Sequence, residues 1–332
     1  MKRREFISLM GGAAAAWPLV ARAQQPPARM RRIGFLFGGL APDEPEGLAR
    51  ITAFVQGLQN LGWTDGRNVR IDYRFGLSDA DRQRKYAAEL VALAPDVILV
   101  GTAGAALRIL QDATRTVPIV FANVVDPVGA GYVASLARPG GNATGFMSVE
   151  FGLSAKWLEL LKEVAPRVTR VAVLRNPVAG EGNSQFAAIQ AVAPSLKVDV
   201  SPIDSREPSE IERAITAFAR APNSGLIVAL GGAMITHRDL IIALAALNRL
   251  PAIYPDRPFV TNGGLISYGI DPAEPYRLAA GYVDRILRGE KPSDLPVQAP
   301  VKYETVLNLK TAKALGLDVP AQVLVRADEV IE

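Results

Sequence analysis

The chain has 332 residues, 49% of them hydrophobic, with 37 basic and 33 acidic side chains, one histidine and no cysteine. That length and apolar content suit two packed domains and exclude a disordered chain. The missing thiols exclude disulfides, cysteine nucleophiles and cysteine-based metal sites.

The N-terminus comes first. Lys2, Arg3 and Arg4 precede an apolar stretch over about 7–20, and Ala21-Arg22-Ala23 fits a small-x-small cleavage site. The stretch is too short and too rich in Ala and Gly to span a membrane. Arg3-Arg4-Glu5-Phe6-Ile7 resembles a twin-arginine export signal, with Lys2 where Ser or Thr is commoner. Residues 1–23 therefore read as a cleaved signal peptide, which makes the mature chain periplasmic. No cysteine follows the site, so no lipid anchor is expected. Cleavage removes four basic residues and one acid, taking the net charge from +4 to about +1. The basic balance belongs largely to the leader and gives no ground for nucleic-acid binding.

The mature chain alternates buried strands with amphipathic helices. Ile33-Gly34-Phe35-Leu36-Phe37 is a strand that ends at Gly38-Gly39. Leu48, Ile51, Phe54, Val55, Leu58 and Leu61 recur at helical spacing, and Gly62 stops that helix. A strand at 69–73 and a helix at 79–93 follow, with Tyr86, Leu90 and Leu93 inward. Strands at 97–100 and 118–122 bracket another helix. A short extended segment at 144–148 leads to a helix at 154–164. The pattern then restarts, with strands at 170–174, 197–200, 225–230 and 251–254 separated by helices at 184–192, 210–218 and 235–247. Two sets of four strand–helix units, about 130 residues apart, read as internal duplication. Residues 265–269 read as a later crossing between the halves, followed by a helix at 276–287, a strand at 305–309 and a last helix at 311–315. The expected fold is α/β, with two similar doubly wound lobes joined by a multi-strand hinge. The first lobe takes 31–148 plus about 265–290, and the second takes 149–264 plus about 291–332.

Ligands of such sheets sit beyond the carboxyl ends of the strands. Polar and small residues fall there on two adjacent strands. Thr102, with the amides of Ala103 and Gly104 at a helix start, suits one end of a carboxylate. Asn123, one strand over, adds a neutral donor. Asp126 either receives an ammonium group or caps the turn that it makes with Pro127.

The segments Leu61-Gly62-Trp63, Gly66-Arg67-Asn68 and Asp126-Pro127-Val128-Gly129-Ala130-Gly131 form a pattern. Leu136-Ala137-Arg138-Pro139-Gly140-Gly141-Asn142-Ala143-Thr144-Gly145 continues it, and Arg326-Ala327-Asp328-Glu329-Val330-Ile331 closes it. In these segments the chain resembles ABC-transporter substrate-binding proteins of the tryptophan/tyrosine-binding type, which have the type I periplasmic binding fold. The resemblance covers nearly all the mature chain. It implies an exported receptor that closes on a small organic solute, an amino acid or other carboxylate, and delivers it to the membrane subunits of an ABC permease. It also implies cleft positions at Gly38, Gly39, Thr102, Ala103, Asn123, Asp126, Asn176, Tyr254 and Tyr268. The loop Gly231-Gly232-Ala233 departs from the Pro or acidic residues common at that place, which leaves the solute open.

Two other classes compete. The same fold could feed a membrane sensor instead of a permease. For an enzyme, Gly101-x-x-Gly104 lacks the full dinucleotide pattern. His237, the sole imidazole, reads as a surface or capping residue rather than a general base. The carboxylates form no metal-ligand cluster, so neither cofactor nor metal is expected. Trp63 and Trp157 read as helix-packing residues. Export is directly testable. N-terminal sequencing of the periplasmic protein should begin at Gln24, and an intact leader on cytoplasmic protein would refute the assignment.

Overall fold

The computed structural model describes residues 29–39, 41, 43–77, 79–101, 104–148, 150–176, 182–205 and 207–332. The leader and the pair Thr102-Ala103 lie outside the described residues.

The first half builds one sheet. Its strands are β1 (Arg31–Phe37), β2 (Val69–Phe75), β3 (Val97–Gly101), β4 (Ile119–Val124) and β5 (Ala143–Met147), in the order β2-β1-β3-β4-β5. All neighbours are parallel. Side chains of a strand alternate between faces, and the sequence fills both faces with apolar groups. Ile33, Phe35, Val97, Leu99 and Val120 enter one core cluster, while Leu36, Ile98, Val100, Ile119 and Phe121 enter the other. Helices α1 (Pro45–Asn60), α2 (Ala80–Ala92) and α3 (Gly104–Ala113) connect the strands.

The second half repeats the plan. A 3-10 turn at Phe151–Ser154 opens α4 (Ala155–Val164). Then come β6 (Arg170–Arg175), α5 (Asn183–Val192), β7 (Asp199–Asp204), α6 (Pro208–Ala219) and β8 (Ser224–Val228). The helix expected over 235–247 is two helices, α7 (Gly232–Thr236) and α8 (Arg238–Leu247), broken at His237. His237 stands at the N-cap of α8 without a side-chain capping bond. Next follow β9 (Ala252–Tyr254), α9 (Arg257–Thr261), β10 (Ile266–Gly269), α10 (Glu274–Leu287) and β11 (Glu304–Asn308). The end is longer than the sequence pattern suggests, with α11 (Leu309–Ala314), α12 (Ala321–Arg326) and β12 (Glu329–Ile331). Their short lengths leave little periodicity to read. The second sheet runs β12-β11-β10-β9-β8-β6-β7, parallel except for the β10–β11 pair.

Sheet membership corrects the expected boundaries. β10 pairs with β9 and β11, so 266–269 belongs to the second sheet rather than to the first lobe or to a crossing. The chain then returns. α10 packs on α1, and its Tyr276, Ala279, Ala280 and Val283 complete the first lobe's core. The segment after it stays there: Thr144 Oγ1 donates to the Leu295 carbonyl at 2.6 Å, and Gln298 exchanges backbone bonds with Gly145 and Met147 at 2.9 Å each. The chain therefore passes between the two sheets three times: after β5, before α10 and before β11. Among the described residues, no helix is long and apolar enough to cross a membrane.

Helix α1 shows how the stripe is used. Ala53, Phe54 and Leu58 are buried, but Leu61 is 39% exposed. The helix ends at Asn60, and Gly62 turns the chain away at φ 89°, so Leu61 leaves the helical phase. Gly57 is required for the packing: a Cβ there would lie 2.7 Å from the Ala280 Cβ and 3.0 Å from the Arg277 carbonyl. Leu58→Ala should cost about 2–5 kcal/mol in chemical denaturation, whereas Leu61→Ala should cost under about 0.5 kcal/mol. Equal losses would show that α1 is packed differently.

Candidate functional site

A cavity of about 530 Å³ lies between the carboxyl ends of the two sheets, within the range of about 300–1,000 Å³ usual for small-molecule sites. Every strand-end loop on its wall follows from the topology. The first lobe supplies Gly39 after β1, Leu77 after β2, Asn123 to Asp126 at the end of β4 and Ser148 after β5. The second lobe supplies Leu230, Gly231 and Gly232 after β8, Pro255 and Asp256 after β9, and Ile270 after β10. Arg50 reaches the cavity from the second turn of α1, and Arg238 from the start of α8.

The polar groups are few and poorly paired. Arg50 is 2% exposed and Asp256 6% exposed. Arg50 Nη1, Asp256 Oδ1, Asn123 Oδ1 and Ser148 Oγ are buried without a hydrogen-bond partner. Buried polar atoms of native proteins are nearly always paired, and leaving one unpaired costs about 1–3 kcal/mol. With Arg238 Nε, five such atoms on the walls of one cavity mark a surface shaped for a polar solute. Charges cross the cleft as well. Arg50 Nη2 lies 3.5 Å from Glu46 Oε2, and Glu46 Oε1 accepts from Arg238 Nη1 of the other lobe. Burial pushes the Asp256 carboxyl up to about 6, and Glu46 adds to the rise; Arg50, Arg238 and the Phe259 amide oppose it.

The sequence-derived residues divide. Gly39, Asn123 and Asp126 line the cavity. Asn123 sits at φ 59°, a conformation Asn tolerates, beside a register shift in the β4–β5 ladder. Its Nδ2 donates to the Pro272 carbonyl at 2.8 Å, so the oxygen, not the amide nitrogen, is left for a solute. Asp126 caps its turn, since Oδ1 accepts from the Gly129 amide at 2.7 Å. Its Oδ2 accepts from Ser184 Oγ of the second lobe at 3.2 Å. Gly38 stands behind the wall, donating to the Gly101 carbonyl at 2.8 Å and accepting from Gln83 Nε2 at 2.9 Å. Asn176 is half-buried beyond β6 and off the wall.

The two tyrosines are corrections. Tyr254 is 1% exposed and stacks on Phe259 at 5.1 Å, inside the second lobe's core. Its position near the end of β9 turns it to the face that α8 and α9 cover. Tyr268 stacks on Tyr303 at 5.4 Å, and its carbonyl accepts from Trp157 Nε1 at 2.6 Å. It stands in β10 of the second sheet with its ring on Tyr303, off the cavity wall that Ile270 joins two residues later.

Arg50 and Asp256 escaped the sequence reading, although both left a signal. Arg50 occupies the inward stripe of α1, one turn before Ala53 and Phe54, where a charge is out of place. Asp256 follows a strand end directly. The raised carboxyl has a measurable consequence. An acid whose folded value exceeds its unfolded value of about 3.9 destabilises the fold above the folded value, and the penalty vanishes below the unfolded one. Asp256→Asn should therefore stabilise this closed arrangement by about 3 kcal/mol at pH 7.5. The gain should shrink as pH falls through 6 and disappear near pH 4. Calorimetry across that range checks this, and a gain independent of pH would refute the assignment to Asp256.

Comparison with known proteins agrees with this geometry. The family described as ABC transporter substrate binding protein matches residues 43–331. A tyrosine-binding protein of Clostridioides difficile (strain R20291) is 27% identical over 267 residues, which is 80% of this chain and 75% of that one. The crystal structure of an ABC domain in complex with L-Trp from Streptococcus pneumonia is 25% identical. It has a TM-score of 0.83 and covers 91% of this chain and 99% of its own. The ligand-free, open structure of a substrate binding protein with adhesive properties from Clostridium difficile is also 25% identical, with a TM-score of 0.70 over the same shares. By the extent of the family match and the two-sheet architecture, the chain belongs to the ABC transporter substrate-binding proteins.

Proposed function

We propose that the chain is exported by its leader and works in the periplasm as the receptor of an ABC importer. It closes two lobes on a small organic solute, an amino acid or other carboxylate, and hands it to the membrane subunits of a permease. It binds and releases the solute unchanged, without cofactor or metal. The observation that carries this reading is the cavity walled by strand ends of both sheets, with unpaired polar atoms contributed from each side. The family match supports the same reading, and the tyrosine-binding relative and the tryptophan complex favour an amino acid. The lobes meet across the cleft through Glu46–Arg238 and Asp126–Ser184, contacts suited to a closed, solute-bearing state. Gly39, Asn123 and Asp126 form part of the binding wall, with Thr102 and Ala103 as further contacts. The three short joints supply the hinge.

Thermal-shift screening of the mature protein finds the solute, since a ligand at a hundredfold its dissociation constant adds about 2.7 kcal/mol. Small-angle scattering then tests closure. The radius of gyration should fall on saturation with that solute, as hinge closure requires, and an unchanged curve would overturn the closing-receptor reading.

A further inference from the structure

We propose that a second cavity, at the foot of the second lobe and away from the cleft, binds a small amphipathic carboxylate. Its apolar floor takes a short acyl chain or an aromatic ring, and Arg249, Lys310 and Tyr254 take the carboxylate. The site uses none of the cleft residues and is independent of the receptor reading.

The topology sets the place. The parallel strands of the second sheet point their carboxyl ends at the cleft, and this cavity gathers at the other end of β9 and β10. Its volume is about 340 Å³, enough for one small molecule. Ala252 opens β9, and Gly263 and Leu265 lead into β10. Helix α8 contributes Ile242, Ala245 and Ala246, and α11 contributes Lys310, Thr311 and Ala314. Among the described residues none lines both cavities. The floor joins the edges of two cores. Ile242, Ala245 and Leu250 belong to one, while Leu265 belongs to the other and Leu315 packs against it. The interior is therefore apolar, and the mouth opens on solvent at Ala246, Arg249, Lys310 and Ala314, all exposed.

The polar groups select the sign of the ligand. Polar side chains on the wall are Arg249, Tyr254, Lys310 and Thr311, with no carboxylate among them. Thr311 Oγ1 already donates to the Gly263 carbonyl at 2.9 Å. Arg249 and Lys310 have no acidic partner among the described residues. Two like charges at one mouth without a counter-charge attract an anion. Tyr254 adds a buried donor. It is 1% exposed, and its hydroxyl makes no hydrogen bond among the described residues. Its ring lies over the turn before β10, where a Cβ on Gly264 would stand 2.9 Å from Cδ2 and 2.6 Å from Cε2. The hydroxyl is thereby carried toward this cavity and not toward the cleft. Burial pushes that hydroxyl up, so it stays protonated and can donate. Buried donors of native proteins are nearly always paired.

These features together narrow the ligand. A neutral molecule would leave both cations unpaired, and the cations would repel an amine. A bare phosphate or sulfate would leave the apolar floor uncovered. A bilayer presents a plane, which does not reach a side chain as deep as Tyr254. A carboxylate with an apolar body meets the donors and the floor at once.

Methyl-labelled mature protein titrated with octanoate tests the site by NMR. The methyl signals of Ile242, Leu250, Leu265 and Leu315 should shift saturably, independently of Ile235 and Ile270 on the cleft wall. Neutral 1-octanol should bind about tenfold more weakly. Arg249→Gln, Lys310→Gln and Tyr254→Phe should each weaken octanoate by about threefold to tenfold. Ala246→Trp, at the exposed mouth, should block it. The comparison of octanoate with octanol uses the unaltered protein and needs no variant to fold. Shifts confined to Ile235 and Ile270, no shift at all, equal affinity for octanol, or unchanged affinity in the folded variants would each overturn the proposal. Co-sedimentation with anionic phosphatidylglycerol vesicles that Ala246→Trp abolishes would assign the cavity to a membrane and overturn it as well.

Discussion

The structure depends on the close approach of α1 and α10. At Gly57 the helices come near enough to exclude even a methyl group, against Ala280 and the Arg277 carbonyl. Beside that contact Trp63 Nε1 donates to Asp284 Oδ1 at 2.7 Å. Tyr276, on the same face of α10, fills the space over β3 that the bare Cα of Gly101 leaves, and it packs with Phe35 and Phe37. The first lobe's core therefore closes only when a helix from the last quarter of the chain arrives. That return forces three crossings between the lobes, and the crossings make a hinge. Glu150 of the first crossing donates its amide to Tyr303 Oη of the third at 3.0 Å, and Tyr303 stacks on Tyr268. The joints are coupled to one another rather than independently mobile.

The second constraint works against stability. A well-packed interior pairs its polar atoms, yet this cleft holds Arg50, Asn123, Ser148 and Asp256 with atoms unpaired. The raised Asp256 carboxyl is the clearest sign, since its burial works against the ionised form that it still takes at neutral pH. Binding sites commonly sacrifice stability in this way. The same groups give a ligand more to gain, because each unpaired atom it meets is already desolvated. Glu46 ties the two effects together: it contacts Arg50 in its own helix and Arg238 across the cleft.

Much of this was legible in the sequence. The continuous apolar runs of β1, β3 and β4 and the repeated strand–helix order announce a doubled α/β plan, because both depend only on local sequence. The errors share a cause. Leu61, Tyr254 and Tyr268 were read from spacing or from nearness to a strand end, and each outcome was set by a neighbour distant in sequence. Gly62 turned Leu61 out of phase, α8 and α9 covered Tyr254, and pairing with β11 carried β10 into the second sheet. Lobe boundaries failed at the same place, since nothing local distinguishes a strand that crosses from one that pairs and then crosses. Arg50 was within reach, as a charge on an apolar stripe is itself informative.

The cleft residues stand on packed seats within their lobes. Arg50 is one turn from Ala53 and Phe54 on α1, so its guanidinium is fixed to the first core through the contact at Gly57. Asp256 is held equally firmly on the other side. Tyr254 and Phe259 stack on either side of it in the chain, and β10 runs so close behind that any side chain at Gly269 would strike the Pro255 carbonyl. Tyr254 thus contributes to the site without touching it, by fixing the turn that presents Asp256. Each charged group is fixed within its own lobe by these contacts, and the proposed closure acts between the lobes. The distance between the charges is then set almost wholly by the hinge, so a ligand that fits that distance selects the closed state.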